Sequence, residues 1–232
     1  MEGLPHENLK GFYNMLITNL IILLAITYLF ASIPWGFIIG KANGTDIRKH
    51  GSCSIGATNV TRTIGKPWGI LCFFLDFLKG FLPVLFVKTF IPGLLKIPVG
   101  LYGITIILVV LATVVGHIYP IYLKFKGGKG IATGTGALVA ITPPAIICGL
   151  IIWIIIFKVS RYVSLASIIA AIAVAVLTIF FSAINFYSID VILQCFVVFL
   201  SLFAIYKHAS NIKRLLNGTE NRFTKKNRDS DV

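Results

Sequence analysis

Residues 117–133, HIYPIYLKFKGGKGIAT, set three lysines (Lys124, Lys126 and Lys129) and three glycines (Gly127, Gly128 and Gly130) between long apolar runs. The order Lys126-Gly127-Gly128-Lys129-Gly130 predicts consecutive backbone N–H groups flanked by two ammonium groups, ahead of a helix that starts near Ile131. That is the chemistry of a phosphate nest at a helix N-terminus. It is not a Walker A loop, because Gly-x-x-x-x-Gly-Lys-Ser/Thr is matched nowhere in the chain. His117, alone at the head of the stretch, reads as an interfacial histidine rather than a catalyst.

Three other stretches carry polar chemistry. In RKHGSCSIGATNVTR, residues 48–62, the small residues Gly51, Ser54, Gly56 and Ala57 allow a ligand close to the backbone. Ser52, Thr58 and Asn59 add hydroxyl and amide groups, and Arg62 adds a fork that fits phosphate or carboxylate. The same residues would also serve as a polar turn capping the next helix. In RYVSLAS, residues 161–167, Ser164 and Ser167 share a helical face at i, i+3, although serine near a helix start is commonly a cap. In YKHASNIKRLLNGTENRF, residues 206–223, one face of a helix can carry His208, Asn211 and either Lys207 or Arg214. A histidine beside basic residues is expected to stay neutral at pH 7 and able to accept a proton; a basic helix lying on anionic lipid is the plainer alternative. Four cation-bearing clusters exceed what one phosphate needs. They point to two anionic substrates, or to one that carries two charged groups.

The elements that position these clusters are membrane-spanning helices. With 57% hydrophobic residues, 12% charged residues and a mean hydropathy of +0.91, the composition excludes a soluble globular domain. Several apolar runs reach the length of a bilayer span. The first, residues 16–39, is too long for a signal sequence and has no small-residue cleavage site after it. The formal net charge of +13 sits between spans and at the C-terminal end, and base-stacking aromatics are not interleaved with it. Cytoplasmic loops beside anionic membrane lipid explain that charge better than nucleic acid does. Cys53, Cys72, Cys148 and Cys195 show neither CxxC nor Cys/His spacing, and the acidic residues are few and scattered, so no metal and no cofactor is expected.

Charge sets the expected topology. Residues 1–14 are slightly acidic and are placed outside; residues 15–206 form one polytopic membrane domain; residues 207–232 form a basic cytoplasmic tail. Spans are expected over residues 16–39, 67–90, 99–115, 164–181 and 189–205, with a Pro/Gly-marked turn at 92–98. Asp76 and Lys79 lie inside the second span, where they can pair at i, i+3. If residues 131–157 made one span, the tail, with seven Lys/Arg against one acidic residue over 207–228, would emerge outside. A break at Pro143-Pro144 gives two short helices instead, and about seven transmembrane helices in an all-α integral membrane protein. The N-terminus is then outside, the C-terminus cytoplasmic, and every basic loop on one face.

On these residues the chain resembles the PlsY family of bacterial membrane acyltransferases. The likeness is carried by SIPWGFIIGK (residues 32–41), GATNVTR (56–62), LDFLKGFLP (75–83), GHIYPIYLKFKGGKGIAT (116–133), RYVSLAS and HASNIKRLLNGTE (208–220). One departure is Gly51-Ser52-Cys53-Ser54, where the family usually has Gly-Ser-Gly-Asn. The resemblance implies seven helices in the bacterial cytoplasmic (inner) membrane, with the active site on the cytoplasmic face. It implies transfer of a fatty acyl group from acyl phosphate to the sn-1 hydroxyl of glycerol 3-phosphate, giving 1-acylglycerol 3-phosphate and phosphate. It also implies that Ser52, Arg62, Lys126 or Lys129, Ser164, Ser167, His208 and Asn211 surround the two substrates.

We expect the catalytic set to be Ser52, Arg62, Lys129, His208 and Asn211. Gly56, Thr58, Asn59, Lys126, Gly127, Gly128, Gly130, Ser164, Ser167 and Arg214 are expected to bind substrate or phosphate. No Gly-x-Ser-x-Gly elbow and no His-x4-Asp pair is present, so transfer is expected to be direct. A membrane transporter of a phosphate ester or another organic anion is the competing class. It would need polar groups deep within broken spans, and only Asp76, Lys79 and the Pro143-Pro144 break lean that way.

Overall fold

The computed structural model describes residues 6–95 and 98–223. Residues 1–5 of the expected external segment, 96–97 of the expected turn and 224–232 of the basic tail lie outside the described residues. The described chain is helical: α1 (His6–Ala31), α2 (Trp35–Ala42), α3 (Ala57–Thr63), α4 (Lys66–Leu95), α5 (Val99–Ile118), α6 (Ile131–Ile141), α7 (Pro143–Ser160), α8 (Val163–Ala183), α9 (Val191–Tyr206) and α10 (Ala209–Leu216). It divides into two compact units that meet in sequence at Ile141 and Thr142.

In unit 1, α4 packs against α6, α5 and α3, and α1 packs against α5. The α4–α6 contact is a backbone approach. A Cβ on Gly80 would run into Thr133 O, and one on Gly136 would run into Phe77 O, the small-residue packing that holds helices together in lipid. Lys88 Nζ donates to Ala140 O at 2.7 Å, satisfying a carbonyl where the short α6 ends. The helix stops at Ile141 and α7 starts at Pro143, the break expected from the proline pair. In unit 2, α8 packs against α7 and α9, and α10 rests on α8.

Five stretches are long and apolar enough to cross a membrane: Lys10–Ala42, Lys66–Ile91, Gly100–Leu123, Pro143–Ser160 and Val163–Ala183. The bent pair α9 and α10 makes a sixth, and α6 is a shorter apolar helix. Large hydrophobic side chains such as Ile21, Phe74, Ile151, Val176 and Phe199 stand exposed on them, as lipid-facing residues do.

The first span departs from expectation. The helix starts ten residues before Leu16, at His6, and is interrupted after Ala31, with α2 starting at Trp35. The cause is Pro34, which has no N–H to continue the ladder. Ile33 O, left without a helical partner there, accepts Lys79 Nζ at 2.9 Å.

Candidate active site

Unit 1 carries two of the four clusters. The first is built around Asn59, on the short α3 and 1% exposed. Its Oδ1 accepts the Ser52 N–H at 2.9 Å. Its Nδ2 donates to Ile47 O (2.9 Å), Ser54 O (2.8 Å) and His50 O (3.1 Å). The whole amide is therefore committed to the shape of the loop over residues 47–54, and Ser52 is presented at the surface. Gly56 caps α3, with Thr58 half-buried in its first turn and Arg62 half-buried in its last. Cys53 takes φ +55°, in the left-handed region where the family pattern has glycine. Asp46, the N-cap of the turn at Ile47–Lys49, grips Arg48 at 2.9 Å (Nε–Oδ1) and 2.7 Å (Nη2–Oδ2). The hydrogen bond from Arg48 outweighs desolvation and holds the Asp46 carboxyl well below the usual carboxylate range.

The second cluster is the glycine-rich loop. The sequence predicted a nest of N–H groups aimed at a ligand, and the structure corrects this in part. Gly127 N–H donates to Ile118 O at 3.0 Å and Gly128 N–H to His117 O at 3.2 Å. These bonds close the carbonyls left over at the end of α5, so they tie the loop to its own helix. Lys126 is exposed and Lys129 half-buried, and Gly130 takes φ +79° where the chain enters α6.

The two loops are fastened together. Ile47, Ile55, Val60 and Leu123 share one buried hydrophobic cluster with Ile39 and Cys72. Arg48, Lys124 and Lys126 line a single cleft of about 410 Å³ with Phe37, Tyr122 and Leu123. The Arg48 guanidinium lies over the Phe37 ring, 4.4 Å from its centroid. A basic cleft with an aromatic wall suits a phosphate attached to an apolar group.

Unit 2 carries the other two clusters, and a residue that sequence reasoning missed joins them. Glu220 Oε1 accepts Ser164 Oγ at 2.9 Å and Asn211 Nδ2 at 2.8 Å, and Oε2 accepts Arg214 Nε at 2.8 Å. Ser164 is thus no helix cap: Tyr162 holds that position. Burial pushes the Glu220 carboxyl up, but the bonds from Asn211, Arg214 and Ser164 outweigh it and hold the group below the ordinary glutamate range. The tail is pinned again where Phe223 N–H donates to Arg161 O at 3.0 Å and the Phe223 ring meets Phe157 edge-on. Ser167 does not join this cluster, since its Oγ accepts Trp153 Nε1 at 3.1 Å. His208, 5% exposed, has Nδ1 2.9 Å from Ala204 O. A carbonyl can only accept, so Nδ1 carries a proton, and a neutral ring would have Nε2 as its accepting nitrogen. The signal for Glu220 was present as the one acidic residue over 207–228, but its partner Ser164 is 56 residues away.

A family model described as glycerol-3-phosphate acyltransferase matches residues 21–218. The glycerol-3-phosphate acyltransferase of Aquifex aeolicus is 44% identical over 202 residues, covering 87% of this chain and 97% of that protein. The one from Staphylococcus aureus strain RF122 is 39% identical over 202 residues, covering 87% and 96%. A crystal structure of PlsY (YgiH), an integral membrane glycerol 3-phosphate acyltransferase in its glycerol 3-phosphate form, superposes with a TM-score of 0.74 at 41% identity, covering 89% of this chain and 96% of that one. Its lysophosphatidic acid form gives 0.72 at 40% identity with the same coverage.

Proposed function

The chain belongs to the glycerol-3-phosphate acyltransferase family, and from that premise we propose that it transfers a fatty acyl group from acyl phosphate to the sn-1 hydroxyl of glycerol 3-phosphate. The products are 1-acylglycerol 3-phosphate and inorganic phosphate. The observation that carries the reading is the match to this family over residues 21–218, in a chain whose two basic loops of unit 1 share one buried hydrophobic cluster.

The chemistry asks little covalent work of the protein. The glycerol hydroxyl oxygen attacks the acyl carbonyl carbon, a new C–O ester bond forms, the C–O bond to phosphate breaks, and phosphate leaves with the electron pair. The hydroxyl proton goes to a phosphate oxygen of the acyl donor or to His208 Nε2. Phosphate is already a good leaving group, so rate comes from holding the reactants and from neutralising charge on the departing anion. Arg62, Lys126 and Lys129 are assigned to phosphate, and Ser52 to a substrate oxygen. Asn211, Ser164 and Arg214, ordered by Glu220, are assigned to substrate polar groups. Asn59 acts through the loop it shapes. By the positive-inside rule all these loops face the cytoplasm of a bacterial inner membrane, with the N-terminus outside.

The transporter reading loses its support from Asp76 and Lys79, which are occupied with each other at 3.0 Å. Donor choice is the discriminating experiment. Detergent-purified protein given glycerol 3-phosphate should form lysophosphatidic acid with acyl phosphate and not with acyl thioesters. Product from a thioester alone would overturn the donor assignment.

A further inference from the structure

Asp76 and Lys79 stand on α4, a membrane-spanning helix, 2% and 1% exposed, with Nζ 3.0 Å from Oδ1. An ion pair there is costly, and two apolar residues of the same volume would generally pack as well or better. The pair is not even fully satisfied: among the described residues, Asp76 Oδ1 accepts no hydrogen bond in good geometry. The proposed reaction uses neither side chain.

Their contacts run to the two phosphate-binding loops. In one direction Lys79 Nζ holds Ile33 O at the break before α2. That fixes the start of α2, where a Cβ on Gly36 would collide with Ile55 O. Cys72 Sγ bridges the same gap, 3.7 Å from Asp76 Oδ2 and 4.0 Å from Ile55 O. Ile55 lies in the loop that Asn59 shapes, three residues after Ser52.

In the other direction His117 Nδ1 lies 3.6 Å from Asp76 Oδ1 and 3.1 Å from Thr133 Oγ1. The same histidine receives the Gly128 N–H on its carbonyl. Its Nε2 fills the space that a side chain at Gly128 would need. Lys129 is the next residue, and Thr133 is in the first turn of α6.

We propose that Asp76, Lys79 and His117 form a buried positioning network that sets the loops over residues 51–62 and 126–130 of unit 1 in register with one another. They are positioning residues, since none is itself assigned to substrate and His117 acts on its loop through Gly128. Thr133 seats His117, and Ile33 O receives the other end. The proposal rests on the phosphate-binding assignment of these loops, so its test includes a readout that needs no turnover.

The test compares full-length wild type, D76N/K79M and T133V in detergent. The double substitution removes both charges at nearly constant shape, and its thermal midpoint is expected within about 3 °C of wild type. Amide exchange at Ser52, Gly127 and Gly128 should accelerate about tenfold, while Phe223 in unit 2 keeps its protection. KM for the phosphate substrates should rise about tenfold with a smaller change in kcat. T133V leaves every charge in place and removes one hydrogen bond; it should speed exchange at Gly127 and Gly128 alone, by about threefold.

Unchanged exchange at both loops in D76N/K79M, or acceleration spread over both units, overturns the network. If D76N/K79M does not fold, equal effects of T133V on both loops, or none on either, overturn it. An inactive wild type would refute the acyltransferase reading while leaving the exchange result to judge the network separately.

Discussion

Asn59 and Glu220 each gather a cluster, and they do it by opposite means. Asn59 is a neutral amide that spends both ends on the backbone of its own loop, through bonds of 2.8–3.1 Å. Glu220 is a carboxylate that receives three side chains from α8 and α10. The first hub fixes a loop whose side chains remain outside it, and pH has no hold on it. The second fixes the functional side chains themselves through a charge, so acid can undo it. The Asn59 hub should therefore hold over a wide pH range, and the Glu220 hub should be acid-sensitive.

The largest expected effect comes from breaking the neutral hub. Asn59→Ala removes the side chain that pairs the Ser52 N–H and Ser54 O and that adds a second donor to Ile47 O and His50 O, and should cost about 4 kcal/mol of stability, read by thermal unfolding in detergent. Lys129→Ala tests the cations that the loop presents. It should remove about 3 kcal/mol of transition-state stabilisation, roughly a hundredfold in kcat/KM, with little change in unfolding. Unchanged kcat/KM would remove Lys129 from the site.

Glu220→Gln attacks the charged hub and should cost about 2 kcal/mol. Its pH dependence sharpens the contrast. Because the folded-state pKa of Glu220 is depressed, its contribution is fully present above the unfolded glutamate value of about 4.3 and is lost as pH falls through the folded value. The stability gap between wild type and E220Q should be constant from pH 7 to pH ~5 and close below pH ~4.3, whereas the gap between wild type and N59A should not. The smallest effect is a gain. Cys53→Gly relieves a left-handed residue with an exposed side chain, and should add roughly 0.5–1 kcal/mol of stability.

Much of the fold was legible because a span announces itself by length and apolarity, and the Pro143-Pro144 break by parity of charge. The interruption at Pro34 was hidden inside an unbroken apolar run, and the carbonyl before it, Ile33 O, is met both by the Trp35 N–H and by Lys79, 46 residues on from Ile33. In the site, residue types were readable but not the direction of backbone groups. Gly127 and Gly128 looked like phosphate donors, yet the end of α5 takes their N–H groups. Asn59 looked like a substrate amide, yet its local loop consumes it. Glu220 was passed over because one acid in a basic tail is ordinary, and its meaning lies in a contact with α8 that no local pattern encodes.

The central claim is direct acyl transfer, and rapid mixing of enzyme with acyl phosphate tests it most directly. Without glycerol 3-phosphate, no burst of phosphate should appear. With it, one phosphate should be released for each lysophosphatidic acid formed. A burst equal to the enzyme concentration in the absence of acceptor would reveal an acyl-enzyme and contradict direct transfer, and phosphate release without lysophosphatidic acid would contradict the reaction itself.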